Sequence, residues 1–177
     1  GLDLMSRQVA GGSQADIPGL AGTQAGAAPC ELPGAVLFAC TMNVVRSVMA
    51  AAILHHLAGK RTYVRSAGVR AGEPDPFATI VMDEIGIDVS QHDPHTLQDL
   101  QDTSFDLIIT LSPEAHHQAL ELTRTMAVDV EYWPTLDATM MLGHTGREQI
   151  LAYYRSVRDQ LFEKIKRRFG FEGGPTV

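Results

Sequence analysis

Residues 1–33 carry little hydrophobic periodicity and are rich in Gly, Ala, Ser and Gln, a pattern that predicts a disordered tail. From Gly34 onward, short apolar runs alternate with longer amphipathic ones. Residues 35–40 (Ala-Val-Leu-Phe-Ala-Cys) read as a buried strand, and 47–58 as a helix that stops at Gly59. A second strand is predicted over 62–67, followed by the turn-rich stretch 68–74. A helix from about residue 75 to 85 ends at Gly86, the type of residue expected just past a helix terminus. Residues 105–111 (Phe-Asp-Leu-Ile-Ile-Thr-Leu) form the clearest strand pattern. Ser112 and Pro113 then supply an N-cap and a first-turn proline for a helix running to about residue 124. A fourth strand is predicted at 127–132, a loop at 133–146 and a last helix at 147–169. In that helix Ile150, Leu151, Tyr154, Val157, Leu161 and Ile165 recur at helical spacing.

Strands alternating with helices predict an α/β fold: a three-layer sandwich on a four-stranded parallel sheet, of Rossmann type. The expected domain spans 34–170, with a flexible C-terminus at 171–177. Ligands of such sheets sit beyond the carboxyl ends of the strands, and Cys40 lies at one of those ends.

Composition narrows the function. Hydrophobic residues make up 45% of the 177 and charged residues 20%, ordinary values for a globular chain with a real core. Fourteen basic against twenty-one acidic residues give a net charge of −7, which argues against nucleic-acid binding. No apolar run approaches the roughly 20 residues of a membrane span. No secretory signal pattern opens the chain. The two cysteines, Cys30 and Cys40, make no disulfide framework, so a reduced, cytoplasmic setting is expected. No metal or other cofactor is implied. The histidines His55, His56, His92, His95, His116, His117 and His144 are read as solvated or half-buried. Adjacent ones on a helical pattern point apart, and no zinc-type spacing exists. The run Lys164, Lys166, Arg167, Arg168 is read as a basic last helical turn that complements the macrodipole.

The chemistry concentrates in Cys40-Thr41-Met42-Asn43-Val44-Val45-Arg46-Ser47. A strand delivers one cysteine into a loop that closes on Arg-Ser where a helix begins. A helix start presents unpaired amides and the positive end of the dipole, so the loop is an anion cradle whose field also favours a thiolate. A cysteine at a strand end is most often a small buried hydrophobe. The strand-loop-helix context makes the functional reading of Cys40 and Arg46 the stronger one. Cys40 is the candidate nucleophile. Arg46 can hold two oxygens of a phosphoryl group in its planar fork. The amides of Thr41, Met42, Asn43, Val44, Val45 and Arg46 are candidate phosphate donors. Ser47 can donate its hydroxyl to the Cys40 sulfur, and Asn43 tolerates a left-handed backbone and can pin the loop internally.

These residues resemble the phosphate loop of the low-molecular-weight protein tyrosine phosphatases and the related arsenate reductases, whose pattern is Cys-x-Gly-Asn-x-x-Arg-Ser-Pro-Met-Ala-Glu. Similarity continues through Val64-Arg65-Ser66-Ala67-Gly68, Pro74 to Ser90, and Phe105 to Leu111, so that it covers about 35–169. The resemblance implies attack by Cys40 to form a phosphocysteine, with an aspartate of a late loop protonating the leaving oxygen and activating water. Asp137, in Trp133-Pro134-Thr135-Leu136-Asp137-Ala138, matches that aspartate best, with a loop carboxylate or turn cap as its plainer role. Asp129 is a weaker match because it falls within a strand.

The chain departs from the family pattern at several points. Met42 stands for the loop glycine, which predicts an altered loop geometry or mouth. Val45 stands for a second cysteine, Val48 for proline, Ala51 for glutamate and Ala138 for the proline after the acid. The aromatic residues that often follow the acid are absent, so strong selection for phosphotyrosine is not expected. The expected activity is a cysteine-dependent phosphomonoesterase acting on a phosphorylated protein or a small phosphomonoester. The alternatives are a single-cysteine arsenate reductase using a small thiol, with the oxyanion arsenate as substrate, and a catalytically weakened phosphate-binding module.

Overall fold

The computed structural model describes residues 32–100 and 104–171. The expected tail, including Cys30, lies outside them apart from Leu32 and Pro33, as does the expected C-terminus beyond Phe171. The elements are β1 (Ala35–Cys40), α1 (Arg46–Ala58), β2 (Tyr63–Gly68), α2 (Pro76–Asp83), β3 (Leu107–Thr110), α3 (Pro113–Leu122), β4 (Asp129–Tyr132) and α4 (Arg147–Phe169), with 3-10 turns at Gly59–Arg61, Leu97–Leu100 and Ala138–Met141. The four strands pair in parallel in the order β2-β1-β3-β4, which is the predicted α/β sandwich.

β1 is a continuous apolar run because it is an inner strand with both faces covered. Its alternate residues serve two cores. Val36, Phe38 and Cys40 join Met49, Ile53, Leu54, Tyr154, Leu161 and Ile165 on the side of α1, α2 and α4. Leu37 and Ala39 join Ala67, Ile108, Ala115 and Ala119 on the side of α3. The strand period of two therefore fixes which layer Cys40 faces.

Observed elements end where their neighbours do. β3 is shorter than the predicted 105–111 because only 107–110 pair in regular register with β1 and β4, while Asp106 and Leu111 keep backbone bonds to Ala35 and Ala39 at its two ends. Asp106 also closes the ladder, accepting the Ala35 amide at its Oδ2 (2.9 Å). The helix starts follow the sequence. Ser112 Oγ accepts the Ala115 amide ahead of Pro113, and Asp75 Oδ1 accepts the Phe77 amide ahead of Pro76. The basic last turn of α4 is largely paired: Arg168 chelates Glu131, Lys166 meets Glu163, and Lys164 lies over the Trp133 ring. Among the described residues no helix is long and apolar enough to cross a membrane.

α2 and α4 are joined at both ends. Tyr154 Oη donates to Asp75 Oδ2 (2.6 Å) at one end. At the other, Glu84 accepts three bonds from Arg155 (Nε to Oε1 and Oε2, 3.0 and 3.1 Å; Nη2 to Oε2, 2.7 Å) and one from Arg158 Nη1 (2.8 Å), which also donates to the Val81 carbonyl. The Arg155 bonds lead in holding the Glu84 carboxyl down to about 2, against some opposing desolvation and with Arg158 adding to them. A carboxyl with a depressed folded value contributes stability above its unfolded value near 4.5, and that contribution is lost as pH falls toward 2. Glu84→Gln is therefore expected to lower urea stability at pH 7, with the gap to the wild-type protein closing between pH 4.5 and 2. Denaturation curves of both proteins across that window check this.

Candidate active site

The loop between β1 and α1 owes its shape to where its carbonyls go. The Cys40, Thr41 and Met42 carbonyls accept from the amides of Val69, Arg70 and Gly72 in the segment after β2 (3.1, 2.9 and 2.9 Å). The Asn43 carbonyl accepts from His92 Nε2 (3.1 Å). In a planar trans peptide the carbonyl and the following N–H point in opposite directions. Four outward carbonyls thus turn the amides of Thr41, Met42, Asn43 and Val44 to the inside. Val45, at the start of α1, provides no side-chain cap, and no acidic residue sits in the first turn. The helix therefore adds its own uncapped donors to the same set, a concave nest of N–H groups suited to an anion.

Asn43 holds this shape. It is fully buried and the one non-glycine residue with positive φ among those described (φ 58°). Its Nδ2 donates to Ser47 Oγ (2.9 Å) and Ser66 Oγ (3.0 Å), and its Oδ1 accepts from the His95 amide (3.1 Å) and His92 Nε2 (3.0 Å). His92 Nε2 faces two acceptor oxygens on Asn43 and so carries a hydrogen. Burial leads in lowering the pKa of His92, and its bond to the Asn43 carbonyl opposes the fall. Gly68 closes the back of the loop. A Cβ there would lie 2.5 Å from the Arg70 oxygen and 2.7 Å from the Asn43 nitrogen, so no larger residue fits.

Cys40 is buried at the mouth of this nest, its Sγ 3.0 Å from Ser47 Oγ. With the sulfur ionised, the hydroxyl is the only possible donor of the pair. Arg46 is 8% exposed, donates from Nη1 to the Thr135 carbonyl (3.1 Å), and places Nη2 3.6 Å from Asp137 Oδ2. A small cleft is lined by Cys40, Met42, Val44, Val45, Arg46, Asp137 and Thr139. The structure thus brings together Cys40, Arg46 and Asp137, which are separate in sequence, and leaves Asp129 on β4. Met42, at the position of the family's loop glycine, leaves the loop intact by leaning outward. A Cβ on Gly72 would lie 3.2 Å from both its Cβ and its Cε. Thr41 ties the loop to α3 through Ser112 Oγ (3.0 Å).

Asp137 also plays its plainer role. It caps the 3-10 turn Ala138–Met141, its Oδ1 accepting from the Thr139 amide (3.0 Å) and the Thr139 hydroxyl (2.6 Å). Three participants carry no local signal in the sequence: His92, Ser66 and Thr139. For His92 the plain reading of a half-buried side chain holds, but the ring also grips the loop. Among the described residues no grouping of His, Cys, Asp and Glu is arranged to hold a metal ion.

The chain is similar in sequence and fold to several known proteins. The sequence model of the family described as low molecular weight phosphotyrosine protein phosphatase matches residues 35–167. An arsenate reductase of Bacillus licheniformis is 34% identical over 137 residues, covering 75% of this chain and 92% of the relative. A solved arsenate reductase in a phosphate-binding state superposes with a TM-score of 0.58 at 25% identity, over 76% of this chain and 95% of that one. A tyrosine phosphatase of Erwinia amylovora shares the fold, with a TM-score of 0.63 at 18% identity over 77% and 91% of the two chains.

The dependence of the cradle on Asn43 is open to direct test. Asn43→Ala removes its side-chain bonds and leaves a Cβ residue in the left-handed region, a strain of about 1–2 kcal/mol. Binding of inorganic phosphate, measured by calorimetry, is expected to weaken by about ten-fold or more. Asn43→Gly relieves the strain but not the lost bonds and is expected to fall between the two.

Proposed function

The chain belongs to the low molecular weight phosphotyrosine protein phosphatase family, and from that premise we propose that it is a cysteine-dependent phosphomonoesterase acting through a phosphocysteine. One observation carries this reading: a single cysteine, an arginine and a carboxylic acid converge on one cleft that is walled by backbone amides. Ester hydrolysis is redox-neutral, so it needs one sulfur and an acid for the leaving oxygen, and this is the set of groups present.

In the proposed mechanism the nest and the Arg46 fork hold the phosphoryl oxygens and neutralise charge as it builds on them. Cys40 Sγ attacks phosphorus while Asp137 protonates the departing oxygen. Asp137 then takes a proton from the water that releases phosphate, and Ser47 steadies the returning thiolate. Asp137 lies beside Arg46 and Thr139 and is the more exposed partner of the pair, its side chain 34% exposed against 9% for Arg46, so that a leaving group can reach it.

A second reading is favoured by the relatives named arsenate reductase. Arsenate is an oxyanion of phosphate shape and would occupy the same nest. Its reduction takes two electrons, however, and Cys40 is the one cysteine among the described residues. On that reading a small thiol must supply the second sulfur.

Turnover of para-nitrophenyl phosphate tests the first reading, and Cys40→Ser is expected to lower it on the order of 10⁴-fold or more. Undiminished activity in that variant would overturn the proposal. Asp137→Asn is expected to cost about 10²-fold in kcat/KM on phenyl phosphate and clearly less on para-nitrophenyl phosphate, whose leaving group needs little protonation. Thiol oxidation that depends on arsenate, without ester cleavage, would favour the second reading.

A further inference from the structure

We propose that Thr139 is a positioning residue that decides which oxygen of Asp137 carries the transferable proton, an inference that rests on the phosphomonoesterase reading above. A carboxylic acid has two oxygens, and only one can face the leaving group. In this site the two are made unequal. Oδ1 accepts from the Thr139 amide at 3.0 Å and from the Thr139 hydroxyl at 2.6 Å. Oδ2 is the oxygen turned to the cradle, 3.6 Å from Arg46 Nη2. With the amide and the hydroxyl both donating to it, Oδ1 has its lone pairs engaged, and a hydrogen of its own would require the hydroxyl to turn from donor to acceptor. The acid proton is thereby assigned to Oδ2.

The amide contribution would come from almost any residue at this position, because it is the ordinary bond of a turn cap. The hydroxyl contribution is specific to Thr or Ser. It occurs where the family pattern often places aromatic residues after the acid, so the device belongs to this chain's own sequence. Thr139 also lines the cleft with Cys40 and Arg46, which keeps its hydroxyl beside the reacting groups.

The bond from the Thr139 amide has a second consequence, independent of the hydroxyl. An ionised aspartate beside an arginine gains most by turning both oxygens to the guanidinium fork. Oδ1, held by the Thr139 amide whatever side chain follows it, cannot make that turn. Asp137 therefore stays in end-on contact with Arg46, and the Arg46 fork remains available to a phosphoryl group.

The bonds exchanged are as follows. The Cys40 thiolate donates its electron pair to phosphorus, and the S–P bond forms as the ester P–O bond breaks. The P–O pair leaves on the ester oxygen, which takes the proton from Asp137 Oδ2. In the second half a water oxygen bonds to phosphorus and gives a proton back to Oδ2, and the S–P pair returns to sulfur. Both proton transfers pass through one oxygen, the one that Thr139 leaves free.

Thr139→Val keeps the size and the capping amide but removes the hydroxyl, and Thr139→Ser keeps the hydroxyl. Each is compared with the wild-type protein by kcat/KM on phenyl phosphate and on para-nitrophenyl phosphate, and by competitive inhibition with inorganic phosphate. The valine variant is expected to lose about ten-fold on phenyl phosphate and much less on para-nitrophenyl phosphate, with phosphate inhibition unchanged. The serine variant is expected to restore the phenyl phosphate rate. Equal losses on the two esters, weakened phosphate inhibition, or a serine variant no better than valine would each overturn the role of Thr139 while leaving the phosphomonoesterase reading intact. A wild-type protein that cleaves neither ester overturns that reading itself and the role of Thr139 within it.

Discussion

Turning a short loop so that successive amides converge on one point requires a residue in the left-handed region, and here that residue is Asn43 (φ 58°). Asn accepts that region more readily than most L-residues, for which the conformation costs roughly 1–2 kcal/mol, but the loop still depends on its being fixed there. It is held from several directions: Ser47 on the helix, Ser66 on the neighbouring strand, and His92 and His95 on the loop beyond α2. Each of these anchors needs its own element in place. The nest at Cys40 is therefore a property of α1, β2 and the segment after α2 together, rather than of the loop alone.

The parallel sheet explains why the second half of the site arrives at the same spot. β1, β3 and β4 run in one direction, so the segments that leave their carboxyl ends emerge on one edge of the sheet. The segment after β4 continues the ladder by two more bonds, Trp133 N–H to the Thr110 carbonyl and Thr135 N–H to the Leu111 carbonyl. That extension delivers the Thr135 carbonyl to Arg46 Nη1, and Asp137 follows two residues later. Arg46 thus links the first and last loops of the edge. In a chain of net charge −7, the proposed reading requires the local field of amides and guanidinium to draw an anion to this edge against the sign of the whole.

What the sequence made legible follows from range. Cys40, Asn43, Arg46 and Ser47 lie within eight consecutive residues, and strand, loop and helix start together constrain their relative positions. The inner strand β1 was readable because burial on both faces imposes an unbroken apolar run. Strand ends were less so, because regular pairing stops before the backbone bonds do: Asp106 and Leu111 still bond to Ala35 and Ala39, yet only 107–110 pair in register with both neighbours. Asp137 could be placed only by resemblance, since its contact with Arg46 is made by a fold closing far-apart segments (the Arg46–Thr135 bond spans 89 positions). His92 grips Asn43 across 49 positions, and nothing around it in sequence distinguishes it from the other histidines. Thr139 sits within two residues of Asp137, but its significance depends on a rotamer that no pattern encodes.

Met42 shows how a departure from a pattern can be absorbed. A glycine is needed in such a loop where a side chain would strike the ligand or the opposite wall. Here the opposite wall has the glycine instead: Gly72 leaves the space over which the Met42 side chain lies. The Met42 side chain thus lies at the edge of the cleft it lines, where it is 37% exposed. The apolar side chains lining the cleft, Met42, Val44 and Val45, are aliphatic and thioether rather than aromatic. A thioether side chain such as that of Met42 is flexible and adapts to many shapes, but it loses rotamer freedom when a ligand fixes it. On the proposed reading, the phosphoryl group, gripped by rigid amides and a buried arginine, supplies most of the binding, and the group attached to it contributes little. Selectivity at this site then falls chiefly on the chemical step, where the leaving oxygen meets Asp137, and less on the fit of the substrate's remainder.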